Sequence, residues 1–248
     1  MAIRRHVLIT GGGRGIGAEM ARRFAALGDR ITVLSRSRDE VERVADEVGG
    51  YGIRCDVGEP ASVEAAFMAA GPVDVLINNA GVARSSPVLK TDVRVWEEHL
   101  KVNLPGSVLC SLKVLPGMAS RGRGRIINVA SVAGLKGYPY LAAYCASKHG
   151  LIGLTRALAA EYGGQGVTVN AICPGYVDSQ MLSQAIQNIV DKTGRSADEV
   201  RAELESQTPQ NRFFEVGEVA AMAVFLASDE AKGVNGQALT ICGGALNS

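Results

Sequence analysis

The sequence lacks an excess of charge of either sign. Its 26 Lys and Arg face 25 Asp and Glu, a formal balance of +1, too little to gather nucleic acid or an anionic membrane by overall field. Function must therefore reside in a local site. Cysteine is scarce and scattered: Cys55, Cys110, Cys145, Cys173 and Cys242 are odd in number, widely separated and without Cys-x-x-Cys spacing. That pattern reads as free thiols in a reducing compartment rather than a disulfide frame or a zinc site, so no metal is expected. No stretch approaches the roughly 20 apolar residues of a membrane span. Arg4-Arg5-His6 is followed only by Val7-Leu8-Ile9 before a glycine cluster, too short for a signal-peptide core. Gly-Lys-Ser/Thr is also missing, which argues against a nucleotide-hydrolysing phosphate loop. A soluble cytoplasmic enzyme or binding protein is the expectation, with neither nucleic acid nor membrane as partner.

What is present is alternation. Short apolar runs predict strands over 6–10, 31–34, 52–55, 73–77, 126–129, 167–172 and 237–241. Helical patterns lie between them, over 16–27, 38–48, 60–70, 93–119, the run carrying Tyr144 and Lys148, and 216–227. Pro60 suits a first helical turn, Pro105 and Pro116 should each bend or interrupt the 93–119 region, and Gly163-Gly164 should end the helix of Tyr144. Strand and helix in turn imply a doubly wound α/β fold, a parallel sheet with helices on both faces. Residues 47% hydrophobic suffice for its core. No linker or repeat divides the chain, so residues 1–248 are expected to form one domain.

Such sheets bind ligands beyond the carboxyl ends of their strands, where strand order reverses. The first strand ends in Thr10-Gly11-Gly12-Gly13-Arg14-Gly15-Ile16-Gly17. Glycines let a backbone turn tightly against a pyrophosphate, whose charge the amides and dipole of the next helix favour; the spacing is not Gly-x-Gly-x-x-Gly, and a plain flexible turn is the alternative. Tyr144 and Lys148 are four apart in an Ala- and Leu-rich run, hence on one helix face. A phenol ordinarily titrates near 10, and a neighbouring ammonium would favour phenolate. Ser131, just after the apolar run Arg125–Ala130, would hang from a strand end facing that helix and could bond the same substrate oxygen.

Thr10-Gly-x-x-x-Gly15-x-Gly17, Asn78-Asn79-Ala80-Gly81, Asn103, Ser131, Tyr144-x-x-x-Lys148 and Pro174-Gly175 together resemble the classical short-chain dehydrogenases/reductases, over nearly the whole chain and in that family's order. The resemblance implies a single-domain Rossmann-type fold with a seven-stranded parallel sheet, a homotetramer, a nicotinamide cofactor and hydride transfer at a carbonyl or alcohol carbon. It assigns catalysis to Asn103, Ser131, Tyr144 and Lys148. Tyr144 would pass a proton to or from the substrate oxygen, Lys148 would lower its pKa and hold the cofactor ribose, Ser131 would stabilise the alkoxide, and Asn103 would hold a proton-relaying water. Asn103 as a helix-kink residue satisfying its own backbone is the alternative.

Cofactor contacts are expected from Gly11, Gly15, Ile16 and Gly17 at the pyrophosphate, with Arg14 in the same loop able to approach a 2'-phosphate; the same resemblance implies that Asn79, Ala80 and Gly81 support the sheet and border the adenosine ribose, and that Asp56 and Val57 lie at adenine. A solvated strand-end carboxylate is the alternative for Asp56. Pro174, Gly175, Val177 and Ser179 would hold the carboxamide, with Ser179 where the family usually has Thr. At the second strand end, Ser35 and Arg36 stand where an acidic residue would favour NAD; with Arg14, Arg36 can grip a 2'-phosphate, favouring NADP(H) over NAD(H).

The stretch 178–214 resembles a mobile substrate lid with two helical patterns, 181–190 and 196–206. Tyr138 and Tyr140 would wall an apolar pocket or merely pack. Trp96, His99 and His149 are expected to be packing or surface residues. The narrower likeness is to reductases of 3-oxoacyl thioesters and to hydroxyacyl-CoA and polyketide enzymes; secondary-alcohol or sugar dehydrogenases and a noncatalytic NADP(H) sensor are the alternatives. Arg84, Arg94, Arg121, Arg123 and Arg125 would attract a carrier protein or form a solvated basic loop, and Cys242 replaces the Asp that often precedes the family's terminal Gly-Gly.

Overall fold

The computed structural model describes residues 4–246. Its elements run β1 His6–Thr10, α1 Gly15–Ala26, β2 Arg30–Ser35, α2 Arg38–Val48, β3 Tyr51–Arg54, α3 Pro60–Ala70, β4 Val75–Asn78, α4 Val93–Asn103, α5 Pro105–Ser120, β5 Gly124–Val129, α6 Ala142–Tyr162, β6 Val167–Pro174, α7 Gln180–Thr193, α8 Ala197–Ser206, α9 Val216–Ala227 and β7 Ala238–Ile241. The strands form one seven-stranded sheet in the order β3-β2-β1-β4-β5-β6-β7, every pair parallel. Chain order reverses between β1 and β4, which opens a crevice beyond their carboxyl ends.

Two apolar layers sandwich the sheet because successive strand side chains point to opposite faces. Val7, Ile9, Val33 and Ile77 pack with Met20 and Phe24 of α1 and Val219 and Ala223 of α9. Leu8, Leu34, Leu76 and Ile126 pack with Phe67 of α3 and Leu115 and Met118 of α5. Local chemistry sets the helix ends: Ser37 accepts from the Glu40 amide to cap α2, and Gly49, at φ +61°, closes it in the left-handed conformation. No helix of the described residues is long and apolar enough to cross a membrane.

The predicted 93–119 region is two helices. Leu104, at φ −118° and ψ −70°, separates α4 from α5, and Pro105 opens α5. Pro116, expected to bend or interrupt the helix, lies inside α5 without interrupting it. Leu112, whose carbonyl loses its amide partner, and Pro116 are both on the exposed face, where water can satisfy that carbonyl. Strand limits also shift. β3 ends at Arg54 rather than Cys55, β4 takes in Asn78, and β6 runs on to Pro174, paired with Ile241 of β7.

Candidate active site

The turn between β1 and α1 is shaped by neighbours far along the chain. Gly11 (φ +63°) and Gly15 (φ +53°) take conformations that side chains resist, and a Cβ on Gly17 would sit 2.3 Å from the Gly11 carbonyl oxygen. Asn79 clasps the turn: its Nδ2 donates to the carbonyls of Thr10 (3.1 Å) and Gly11 (3.0 Å). Thr10 Oγ1 in return accepts from the Asn79 and Ala80 amides, both at 3.0 Å. Arg14 stands at the N-cap of α1 without a side-chain cap, and the first turn carries no acid. The amides and positive dipole end there are left for an incoming anion, so the cradle fits a dinucleotide pyrophosphate.

One cavity of about 480 Å³ opens beyond the strand ends. Ile16, Asn79 and Gly81 line it from the β1 and β4 side, Ser131, Tyr144 and Lys148 from β5 and α6, and Pro174, Gly175, Val177 and Ser179 from the end of β6. Ser131 is extended at φ −176° and caps a short turn by accepting from the Ala133 amide. Lys148 is buried and its Nζ donates to the Val129 carbonyl at 2.8 Å, 5.7 Å from the centre of the Tyr144 ring. The two side chains share one helix face and one cavity.

Their ionisation departs from the expectation. Burial pushes the Tyr144 phenol up to about 12, while its hydrogen bond with Ser131 pulls the other way. Burial likewise drives Lys148 down to about 8. Desolvation opposes the charged form of each group and sets the direction of both shifts.

Asn103 is fully buried at the end of α4. Its Oδ1 accepts from the Val82 amide (2.8 Å), and its Nδ2 donates to the Val82 carbonyl (3.0 Å) and Ser147 Oγ (2.9 Å). Ser147 donates onward to the Tyr144 carbonyl at 2.8 Å. Asn103 thus bonds the loop after β4 and the helix of Tyr144, not its own backbone. A Cβ on Gly81 would approach Asn103 Oδ1 to 3.2 Å and Lys148 Nζ to 3.5 Å, so this glycine keeps the space between them open. Beneath, Asn78 donates to Asn128 (2.9 Å) and Asn128 to Thr155 (2.8 Å), a buried chain from β4 through β5 to α6.

At the other end of the crevice, Ser35 donates to the Ser37 carbonyl, and Arg36 is exposed. Asp56 accepts from the Gly58 amide at 2.9 Å in a local turn, beside buried Val57. Arg14 reaches two groups that the sequence did not single out: it donates to Gln180 of α7 at 3.0 Å and pairs with Glu40 of α2 at 3.6 Å. The Glu40 carboxylate and Ser35 Oγ each lie 3.2 Å from where a Gly13 Cβ would be. Only the position of Glu40 in the first turn of α2 hinted at this in sequence.

Of the two tyrosines, Tyr138 lines the cavity and Tyr140 is 64% exposed. His99 is buried, donating to the Val95 carbonyl and accepting from the Arg84 amide, with its edge toward Tyr144. The five arginines do not converge. Arg84 and Arg94 pair with Glu98 and Asp92, whereas Arg121, Arg123 and Arg125 lie at the opposite end of the sheet with Asp74 and Asp229.

The family model described as short chain dehydrogenase matches residues 5–216. The chain belongs to the short-chain dehydrogenase family. It is therefore an NAD(P)-dependent oxidoreductase interconverting CH–OH and C=O. This short-chain dehydrogenase is 38% identical to "Granaticin polyketide synthase putative ketoacyl reductase 1" of Streptomyces violaceoruber over 97% of its own length and 92% of the relative's. It is 39% identical to D-threitol dehydrogenase of Mycolicibacterium smegmatis, over 96% and 91% of the two chains. A solved variant of actinorhodin polyketide ketoreductase with NADPH superposes with a TM-score of 0.93 at 36% identity, covering 99% of this chain and 98% of that one.

Proposed function

We propose that this protein is a single-domain, NADP(H)-dependent reductase of a 3-oxoacyl thioester or polyketide-type ketone. The observation that carries the reading is the convergence of Ser131, Tyr144 and Lys148 on one cavity that also reaches the glycine turn. Bound NADPH supplies the hydride. Tyr144 gives its proton to the carbonyl oxygen and takes it back in the reverse direction, Ser131 donates a hydrogen bond to the developing alkoxide, and Lys148 holds the cofactor ribose. Asn103 fixes the loop and the helix between which a relay water is held. Gly11, Arg14, Gly15, Ile16 and Gly17 hold the phosphates, Asp56 and Val57 border adenine, and Asn79, Ala80 and Gly81 border its ribose. Pro174, Gly175, Val177 and Ser179 hold the carboxamide. Ser35 and Arg36, with Arg14, accept the 2'-phosphate and favour NADP(H).

The region 178–214 forms the substrate lid. Its helix α7 contacts the body at both ends, through Gln180 to Arg14 and through Asn188 to Ser85 (2.8 Å). Family membership supports a homotetramer, and five buried cysteines with no disulfide between them fit a reducing compartment such as the cytoplasm. An acyl substrate is favoured over a polyol by the walls, where Val132, Ala133, Leu141, Met181, Leu182 and Ala185 face the cavity; the likeness to D-threitol dehydrogenase keeps a sugar alcohol as the second reading. Consumption of NADPH, followed by absorbance against 3-oxoacyl thioesters, cyclic ketones and sugars, tests this. Turnover of thioester ketones is expected. Turnover of sugars alone overturns the substrate, and tight cofactor binding with no turnover of any class overturns the enzyme.

A further inference from the structure

A second concavity, of about 360 Å³, lies at the other edge of the sheet. Gly122, Arg123 and Arg125 at the start of β5, Val167 and Thr168 at the start of β6, and Asp229 and Lys232 after α9 line it. Strand β5 separates it from Ser131 by about 20 Å at 3.3 Å per residue, so it is no part of the catalytic cavity. Its volume falls within the roughly 300–1,000 Å³ of small-ligand sites.

Charge in this concavity is unbalanced. Arg123, Arg125 and Lys232 give three positive groups against the single carboxylate of Asp229, a local excess of two. Asp229 is shared, at 3.2 Å from Arg123 and 3.4 Å from Arg125, and its side chain is 70% exposed. Arg125 is the unusual member. It occupies a strand position covered on all sides, its side chain only 9% exposed, with one terminal nitrogen on the Gly124 carbonyl and the other on Asp229. Its Nε is buried with no hydrogen-bond partner. A buried guanidinium that shares an exposed carboxylate with a second arginine is under-compensated, and burial depresses its pKa accordingly. An anion seated among these three cations would relieve that deficit. Phosphate suits it, since its oxygens match the planar donor fork of arginine.

We propose that this concavity, formed by Arg123, Arg125 and Lys232 at the amino-terminal edge of β5 and β6, binds a small phosphate-bearing anion at a site separate from catalysis. Arg125 forms its floor, Arg123 and Lys232 close on the ligand from the rim, and Asp229, the opposing charge, turns outward to solvent as the anion enters.

Isothermal titration at constant ionic strength tests this with two probes, inorganic phosphate and glycerol 3-phosphate, against the native protein and three variants. Arg123→Ala and Lys232→Ala remove exposed side chains that contribute little to folding, and Arg36→Ala disables the proposed 2'-phosphate contact of the cofactor crevice. Saturable binding is expected in the native protein and in R36A, weakened at least tenfold in R123A and in K232A. Tighter binding of the ester would identify an organic phosphate as the occupant, and equal binding the phosphate group alone. Absence of saturable binding, unchanged binding in R123A and K232A, or loss of binding in R36A overturns the proposal.

Discussion

Replacing Lys148 with Met should make the ligand-free protein more stable while destroying its turnover. Lys148 is 4% exposed, and its pKa falls from 10.5 to about 8, which corresponds to roughly 3 kcal/mol against the charged form in the fold. Removing the donor to the Val129 carbonyl (2.8 Å) costs back about 1–2 kcal/mol. A net gain of about 1–2 kcal/mol at pH 7 follows. The gain has a pH signature. Between about 8 and 10.5 the unfolded chain binds the lysine proton and the folded one does not, so native stability rises through that window. Methionine removes the rise, so the advantage of K148M should shrink as pH climbs from 8, vanish near about 9 and reverse to a deficit of about 1–2 kcal/mol by about 10.5, where the lost hydrogen bond is all that remains. Urea unfolding of both proteins at pH 7 and 10, with m-values compared to secure a two-state reading, measures it. A variant less stable than the native protein at pH 7, by an amount that does not change with pH, would refute the reasoning.

Tyr144→Phe should lower kcat by at least about 10³-fold while NADPH fluorescence titration gives a Kd within twofold of native. Ser131→Ala removes one donor to the alkoxide and should cost about 10²-fold in kcat with little change in cofactor affinity. For ketone reduction, kcat/KM should be level below pH 8 and fall about tenfold per pH unit above it as Lys148 loses its charge; a flat profile to pH 10 would remove Lys148 from the chemistry. Glu40→Gln should lower the KM for NADPH about fivefold and leave that for NADH unchanged, as removal of a partly solvated repulsion is worth about 1 kcal/mol. Equal effects on both cofactors would place Glu40 away from the 2'-phosphate.

Patterns with a short period were legible in the sequence. β1, α2, α3 and α9 begin and end at the residues expected, because a cap, a proline or a glycine marks each locally. Tyr144 and Lys148 share a face because helical geometry leaves no other choice for that spacing. Contacts between distant segments were not legible. Arg14 is 166 residues from Gln180, and nothing near either residue marks the bond. Spacing reports the nearby cation of Lys148 but not how much of the phenol is taken out of water, so it does not give the net direction of the Tyr144 shift. Pro105 and Pro116 look alike in sequence, yet only Pro105 stands at a break: whether a proline interrupts a helix depends on whether its orphaned carbonyl faces solvent, which only packing decides.

The asparagine clasp on the glycine turn has a consequence for biosynthesis. Thr10 and Asn79 are 69 residues apart, so the first strand and its helix can emerge from the ribosome and pack on their neighbours well before their nucleotide cradle is secured. Only when β4 slots in beside β1 does the cradle acquire its final form. Nucleotide capture is thereby postponed until the centre of the sheet is complete, and a chain cut short before residue 79 would present the glycine signature with nothing to hold it shut.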